Sequence, residues 1–175
     1  MLNLSKSGST ALTTRCAVIG LGNTLRKDDG IGIIVLESLL KFPQHPQIDY
    51  LNFGIASFDL VHRMEKYEFI LLIDGIDGST ALTTGAGLKP GELKIFELKD
   101  ISYNLKGQAL STHEFDLKSL FELYKRFELK SKIYVAGIQI QDVSFGDSLS
   151  QPLKDRLDQI PQEISRFINK VLLTS

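Results

Sequence analysis

Short apolar runs that end at glycine or aspartate alternate along this chain with longer stretches of helical periodicity. Cys16-Ala-Val-Ile-Gly-Leu21 is apolar and closes on glycines, the pattern of a buried strand. A loop, Gly22 to Asp28, follows. Ile31 to Leu40 is then apolar nearly all round, as in a buried helix, which Pro43 and Pro46 end. Ile48 to Phe53 reads as a second strand. Phe58, Val61 and Met64 recur at helical spacing, so Phe58 to Met64 reads as a helix. Phe69-Ile-Leu-Leu-Ile-Asp74 is the clearest buried strand. A loop rich in Gly, Ser and Thr runs from Gly75 to Gly91, and Pro90-Gly91 marks a turn at its end. Glu92 to Leu98 alternates polar and apolar residues, which predicts a partly exposed strand. A helix opens at Ser111 or Thr112 as N-cap, with Glu114 three residues after Ser111 in a capping-box arrangement. Leu117, Leu120, Phe121 and Tyr124 supply its apolar face. Lys132 to Ile138 is another strand. From Pro152 onward the chain reads as helical, interrupted at Pro161, with Ile164, Phe167, Ile168, Val171 and Leu172 as the last stripe.

The order β-α-β-α-β-β-α-β-α predicts an α/β fold: an open, mostly parallel sheet covered on both faces. The β-to-β step across Gly75–Gly91 leaves room for one antiparallel strand. No internal repeat appears. Residues 16–175 read as one domain, preceded by a polar, Ser/Thr-rich extension (residues 1–15) expected to be flexible.

Composition adds exclusions. The 175 residues suit one sizeable core, and 43% apolar with 23% charged residues is an ordinary soluble profile. The net charge of −1 gives no reason to expect nucleic acid or an anionic membrane as partner. Cys16 stands alone, so an intramolecular disulfide and a cysteine-based zinc site are both excluded. No apolar run approaches the ~20 residues a bilayer requires, and the N-terminus lacks a secretory apolar segment. The expected address is the cytoplasm.

Standard catalytic motifs are missing. There is no Gly-x-Ser-x-Gly elbow, no Walker loop, and His113-Glu114 is not followed by the second histidine of a zinc helix. Gly20-Leu-Gly22-Asn-Thr-Leu25 is half of a dinucleotide fingerprint, with Leu25 where the third glycine belongs. Cys16 reads as a small buried hydrophobe. Position is more informative, because ligands of open α/β sheets sit at the carboxyl ends of the strands. Asp28-Asp29 follows the first strand, Asp74 ends the third, and His113 precedes a helix. Two carboxylates and an imidazole make an N/O site for zinc, nickel or iron, and ligand type alone does not choose among them. Each has a plainer reading: a helix-start charge for Asp28 and Asp29, a backbone acceptor for Asp74, an exposed helix-start residue for His113. His45 and His62 read as surface residues.

These residues also carry a resemblance. Gly20-Leu-Gly-Asn-Thr-Leu-Arg-Lys-Asp-Asp-Gly-Ile-Gly32 resembles the opening G-x-G-N-x-L-x-x-D-[DE]-G-x-G signature of the hydrogenase maturation proteases. Ile73-Asp74, Pro90-Gly91, Ser111-Thr-His113, Gly137-Ile-Gln139 and Ser148-Leu-Ser150 resemble further family segments in the right order. The resemblance covers roughly residues 16 to 172. It implies a three-layer α/β/α sandwich, a five-stranded sheet with one antiparallel strand, of phosphorylase/hydrolase type. It implies an endopeptidase that removes a C-terminal extension from the large-subunit precursor of a nickel-iron hydrogenase after metal assembly. Its metal-contacting and catalytic positions carry over to Asp29, Asp74 and His113, with nickel, or another divalent metal in its place, brought by the precursor. Gly20, Gly22, Asn23, Asp28 and Gly30 form the supporting loop, and a monomer is expected. Three features depart from the pattern: Asp29 where some members have Glu, a longer Gly75–Gly91 loop, and Ile140 where the family has proline. The last is expected to matter little. The alternatives are a zinc peptidase with its own metal, a nickel checkpoint that binds precursor without cutting it, and, on the glycines alone, a flavodoxin-like nucleotide module.

Overall fold

A computed structural model describes residues 16–55, 58–77, 87–100 and 117–172. The expected N-terminal extension, most of the Gly75–Gly91 loop, the capping box at Ser111 and the candidate ligand His113 lie outside them. Among the described residues, five strands and five α-helices follow the predicted order: β1 (Cys16–Leu21), α1 (Ile31–Leu39), β2 (Ile48–Gly54), α2 (Phe58–Met64), β3 (Phe69–Ile76), β4 (Leu93–Glu97), α3 (Leu117–Arg126), β5 (Lys132–Gln139), α4 (Gln151–Lys154) and α5 (Gln159–Phe167). The sheet order is β2-β1-β3-β5-β4. The first four are parallel and β4 runs antiparallel to β5, Leu93 facing Ile138 and Glu97 facing Tyr134.

β1, and β3 as far as Ile73, are apolar because both of their faces are covered. Ala17, Ile19 and Leu21 of β1, with Ile70 and Leu72 of β3, pack against Leu60, Val61 and Met64 of α2 and Leu120 of α3. Cys16 and Val18, with Leu71 and Ile73, face Ile31, Val35 and Leu36 of α1 and Ile160 and Ile164 of α5. This alternation is the period-2 geometry of a strand, and it makes the molecule a three-layer α/β/α sandwich. Burying these side chains contributes about 25 cal/mol per Å² of apolar surface removed from water. Among the described residues, no helix is long and apolar enough to cross a membrane.

Three details differ from expectation. The break in the last helical region falls at 155–158, between α4 and α5, and not at Pro161. Pro161 is the third residue of α5, in the first turn, where a backbone N–H has no partner within the helix to lose. His45 is half-buried, not exposed: its Nδ1 accepts the Gln47 N–H at 3.2 Å. Ile140, in the position of the family's proline, donates its N–H to Ile76 O at 3.1 Å, a bond no proline can make.

Candidate active site at the carboxyl edge of the sheet

The loop after β1 is folded onto itself by its own polar groups. Asn23 Oδ1 accepts the Leu25 N–H at 3.0 Å, and Asn23 O accepts the Arg26 N–H at 3.0 Å. Asp29 donates its N–H to Arg26 O at 3.0 Å, and its carbonyl accepts the Asn23 N–H at 3.2 Å. Asparagine is suited to such a turn because its side chain imitates a backbone acceptor. The result is a single 3-10 turn, Lys27–Gly30, that leads directly into α1. Gly22 is required beneath it: its φ is +137°, and a Cβ there would lie 2.1 Å from Asp29 O.

Gly32 then brings α1 down on the sheet. A Cβ at Gly32 would lie 2.3 Å from both Leu21 O and Ile73 O, so the first turn of α1 rests on the ends of β1 and β3. Asp74 is the next residue along β3. The segments that carry Asp29 and Asp74, separated in sequence, therefore end at the same edge of the sheet, where topology predicts a ligand. Their exposures are 1% and 2%. A buried carboxylate costs several kcal/mol unless it is hydrogen-bonded, paired or bound to a cation. Two of them at one edge suit a divalent metal with N/O preference. His113, the third expected donor, lies outside the described residues, and among those described no three His, Cys, Asp or Glu side chains gather to hold a metal.

Asp28 has a different task from its neighbour. It is fully buried, and its carboxylate accepts three backbone N–H groups: Gln141 and Asp142 on Oδ2, both at 2.9 Å, and Ser150 on Oδ1 at 2.6 Å. The family resemblance puts Asp28 in the supporting loop, and the plainer reading made it a helix-start charge. Asp28 instead joins the loop after β1 to the loop after β5 and to the N-cap of α4. Backbone donors have no residue-type signature, so only the Ser148-Leu-Ser150 resemblance pointed to that region.

A second strut lies outside the first. Lys27, at a left-handed φ of 44°, donates its N–H to Gly146 O at 2.8 Å. Its Nζ meets Asp142 Oδ2 at 2.6 Å. That ammonium, and the Ser144 hydroxyl and N–H donating to Asp142 Oδ1, hold the Asp142 carboxyl well below the usual carboxylate range. A non-glycine residue held at positive φ stores strain, which the two bonds to Lys27 offset. At the rim Phe145 is 83% exposed, and the Arg26 guanidinium lies 5.6 Å from its ring centroid.

A family model described as hydrogenase maturation protease matches residues 33–167. The chain belongs to the hydrogenase maturation protease family. Asp74 and His113 fall inside the matched stretch, and Asp29 lies just before it. The chain is 26% identical over 145 residues to the hydrogenase 3 maturation protease of Escherichia coli K12, covering 82% of this chain and 85% of that protein. It is 25% identical over 143 residues to the hydrogenase expression/formation protein HupD of Thiocapsa roseopersicina, covering 80% of this chain and 61% of HupD. The chain thus spans about three fifths of that relative's length. Among solved structures it is similar to the hydrogenase maturation protease HybD of Thermococcus kodakarensis, with a TM-score of 0.63, 27% identity, and coverage of 87% of this chain and 98% of that one. The E. coli endopeptidase HybD shares the fold at a TM-score of 0.69, with 17% identity and coverage of 89% and 93%. In this family, then, the five-stranded mixed sheet is the shared architecture.

Proposed function

We propose that the protein is a cytoplasmic endopeptidase that removes a C-terminal extension from the large-subunit precursor of a nickel-iron hydrogenase after its metal centre is assembled. The observation that supports this best is the pair of buried carboxylates, Asp29 and Asp74, at the ligand edge of a sheet belonging to this family. In this reading Asp29, Asp74 and His113 contact nickel held by the precursor, so the metal arrives as part of the substrate. That contact places the scissile bond in the cleft, a proximity effect. The base that takes a proton from the attacking water is Asp29 or Asp74, the two carboxylates at the ligand edge of the sheet, while the Asp28 carboxylate accepts three backbone N–H groups. The proton passes to the departing amine as the peptide bond breaks.

The test is intact-mass analysis of nickel-loaded and nickel-free precursor after incubation with the protein. Loss of a C-terminal fragment from the loaded form alone is expected. Asp29→Asn should slow that loss by about 100-fold or more, the scale of losing a general base, and His113→Gln should slow it by a similar factor through the lost nickel contact that positions the scissile bond. Unchanged precursor mass despite tight binding would replace the protease by a checkpoint. Equal cutting of both forms would mean that nickel in the substrate is not what the site reads.

A further inference from the structure

We infer that Asp28 is a positioning residue that sets the aim of Asp29, by fastening the Asp28–Asp29 peptide to the loop after β5 and to the N-cap of α4. The inference rests on the proposed function. Its basis is the set of three N–H groups on one fully buried carboxylate, drawn from two segments, residues 141–142 and residue 150. Hydrogen bonds to an ionised acceptor are shorter and stronger than neutral ones, and the Ser150 contact at 2.6 Å is the shortest of the three.

The backbone around Asp29 completes the clamp. Asp28 donates its own N–H to Asp142 O at 3.1 Å. Asp29 donates to Arg26 O and accepts from Asn23. With the Asp28 side chain anchored, both sides of the Asp28–Asp29 peptide are fixed, and only side-chain torsions remain to Asp29. A catalytic carboxylate misplaced by about 1 Å can lose a hundredfold in rate. A residue that only glued the fold together would lower stability and leave the aim of Asp29 alone, so the two roles are separable.

Two variants open the same bond from opposite sides. Asp28→Asn keeps the shape but turns one acceptor into a donor facing an N–H. Ser150→Pro removes the N–H and keeps the buried charge, and the Ser150 φ of −62° is one proline adopts. If Asp28→Asn does not fold, Ser150→Pro reads the same contact. Cleavage of nickel-loaded precursor is measured against precursor concentration, with circular dichroism and urea unfolding alongside. Each variant is expected to lower the saturating rate at least tenfold and to leave the half-saturating precursor concentration within about twofold, the signature of a lost transition-state contact. The double variant should be no slower than the slower single, because both break one interaction. Ile160→Val, in α5, is the stability-matched control and should keep the wild-type rate.

A full rate in Ser150→Pro, a loss confined to half-saturation, additive effects in the double variant, or an equal slowing by Ile160→Val would each overturn the positioning role. A wild-type protein that leaves nickel-loaded precursor uncut would instead overturn the proposed function, and the two failures are distinct.

Discussion

A methyl group on Gly32 would sit 2.3 Å from two carbonyl oxygens, closer than any carbon is accommodated. Gly32→Ala must therefore lift α1 off the ends of β1 and β3 and separate Asp29 from Asp74. It should lower unfolding stability by about 1–3 kcal/mol, the usual cost of overpacking, with a larger fractional loss of cleavage. Urea unfolding and the precursor assay check the two effects. Gly20 and Gly22 were legible in the sequence as glycines of the supporting loop, and Gly32 as the last glycine of the family signature; the contacts that Gly32 makes were not. Asp28 is a similar case. Its place in the supporting loop was legible and its partners were not, because they are main-chain amides distant in sequence. Tyr67 gives a further residue-scale test. Burial, and then its hydrogen bond to Asp49 Oδ2 at 2.7 Å, push its phenol up to about 12 from 10.0. The neutral phenol is the form the fold favours, so this contribution is complete below pH 10 and lost as pH rises through about 12. Ultraviolet titration should show Asp49→Asn ionising its Tyr67 at lower pH than wild type, though still above 10.0, since burial is the larger cause.

Among the elements, the strands were the most legible, because those covered on both faces are written as unbroken apolar runs. The alternation over Glu92 to Leu98 likewise gave a partly exposed strand, and the β-to-β step across Gly75–Gly91 left room for it to run antiparallel, as Leu93–Glu97 does. The break between α4 and α5 was less legible, because Asp155-Arg156-Leu157-Asp158 contains nothing that forbids a helix. Tertiary contact decides it. Arg156 reaches from this turn to Gly91 O at 3.4 Å and to Glu163 Oε1 at 2.8 Å, fastening the turn before β4 to α5. Pro161 adds to this, since it has no N–H to give Leu157 O and so favours a helix that begins after the turn. At Ile140 the departure from the family pattern extends the β3–β5 ladder by one bond. Ile140→Pro should cost about 1 kcal/mol in urea unfolding, the net value of one hydrogen bond, plus whatever packing its side chain gives up. An unchanged midpoint would show that the extra bond contributes nothing.

At the scale of the whole molecule, the order β2-β1-β3-β5-β4 puts β1 and β3 side by side at the centre, so the loops that leave them open onto the same edge. That parallel strands send their loops to one edge followed from alternating strands and helices in the sequence; that β1 and β3 are neighbours is seen only in the fold. What did not follow is that the loop after β5 forms another wall of the site, since local patterning says nothing about which loops meet. The bonds of Asp28 to Gln141 and Ser150 span 113 and 122 residues. Contacts of such separation must overcome the entropy of closing a long loop, and they form late. On the ribosome, Asp28 is synthesised long before its donors exist. The half-made chain carries Asp29 and Asp74 without the clamp that orders them, and the cleft is assembled only after residue 150 has emerged. Pulse proteolysis of ribosome-stalled chains should find residues 22–30 cleavable until that length is passed and protected afterwards. If the chain is the endopeptidase proposed above, its cutting edge is completed last, and the half-made chain has no assembled cleft with which to cut.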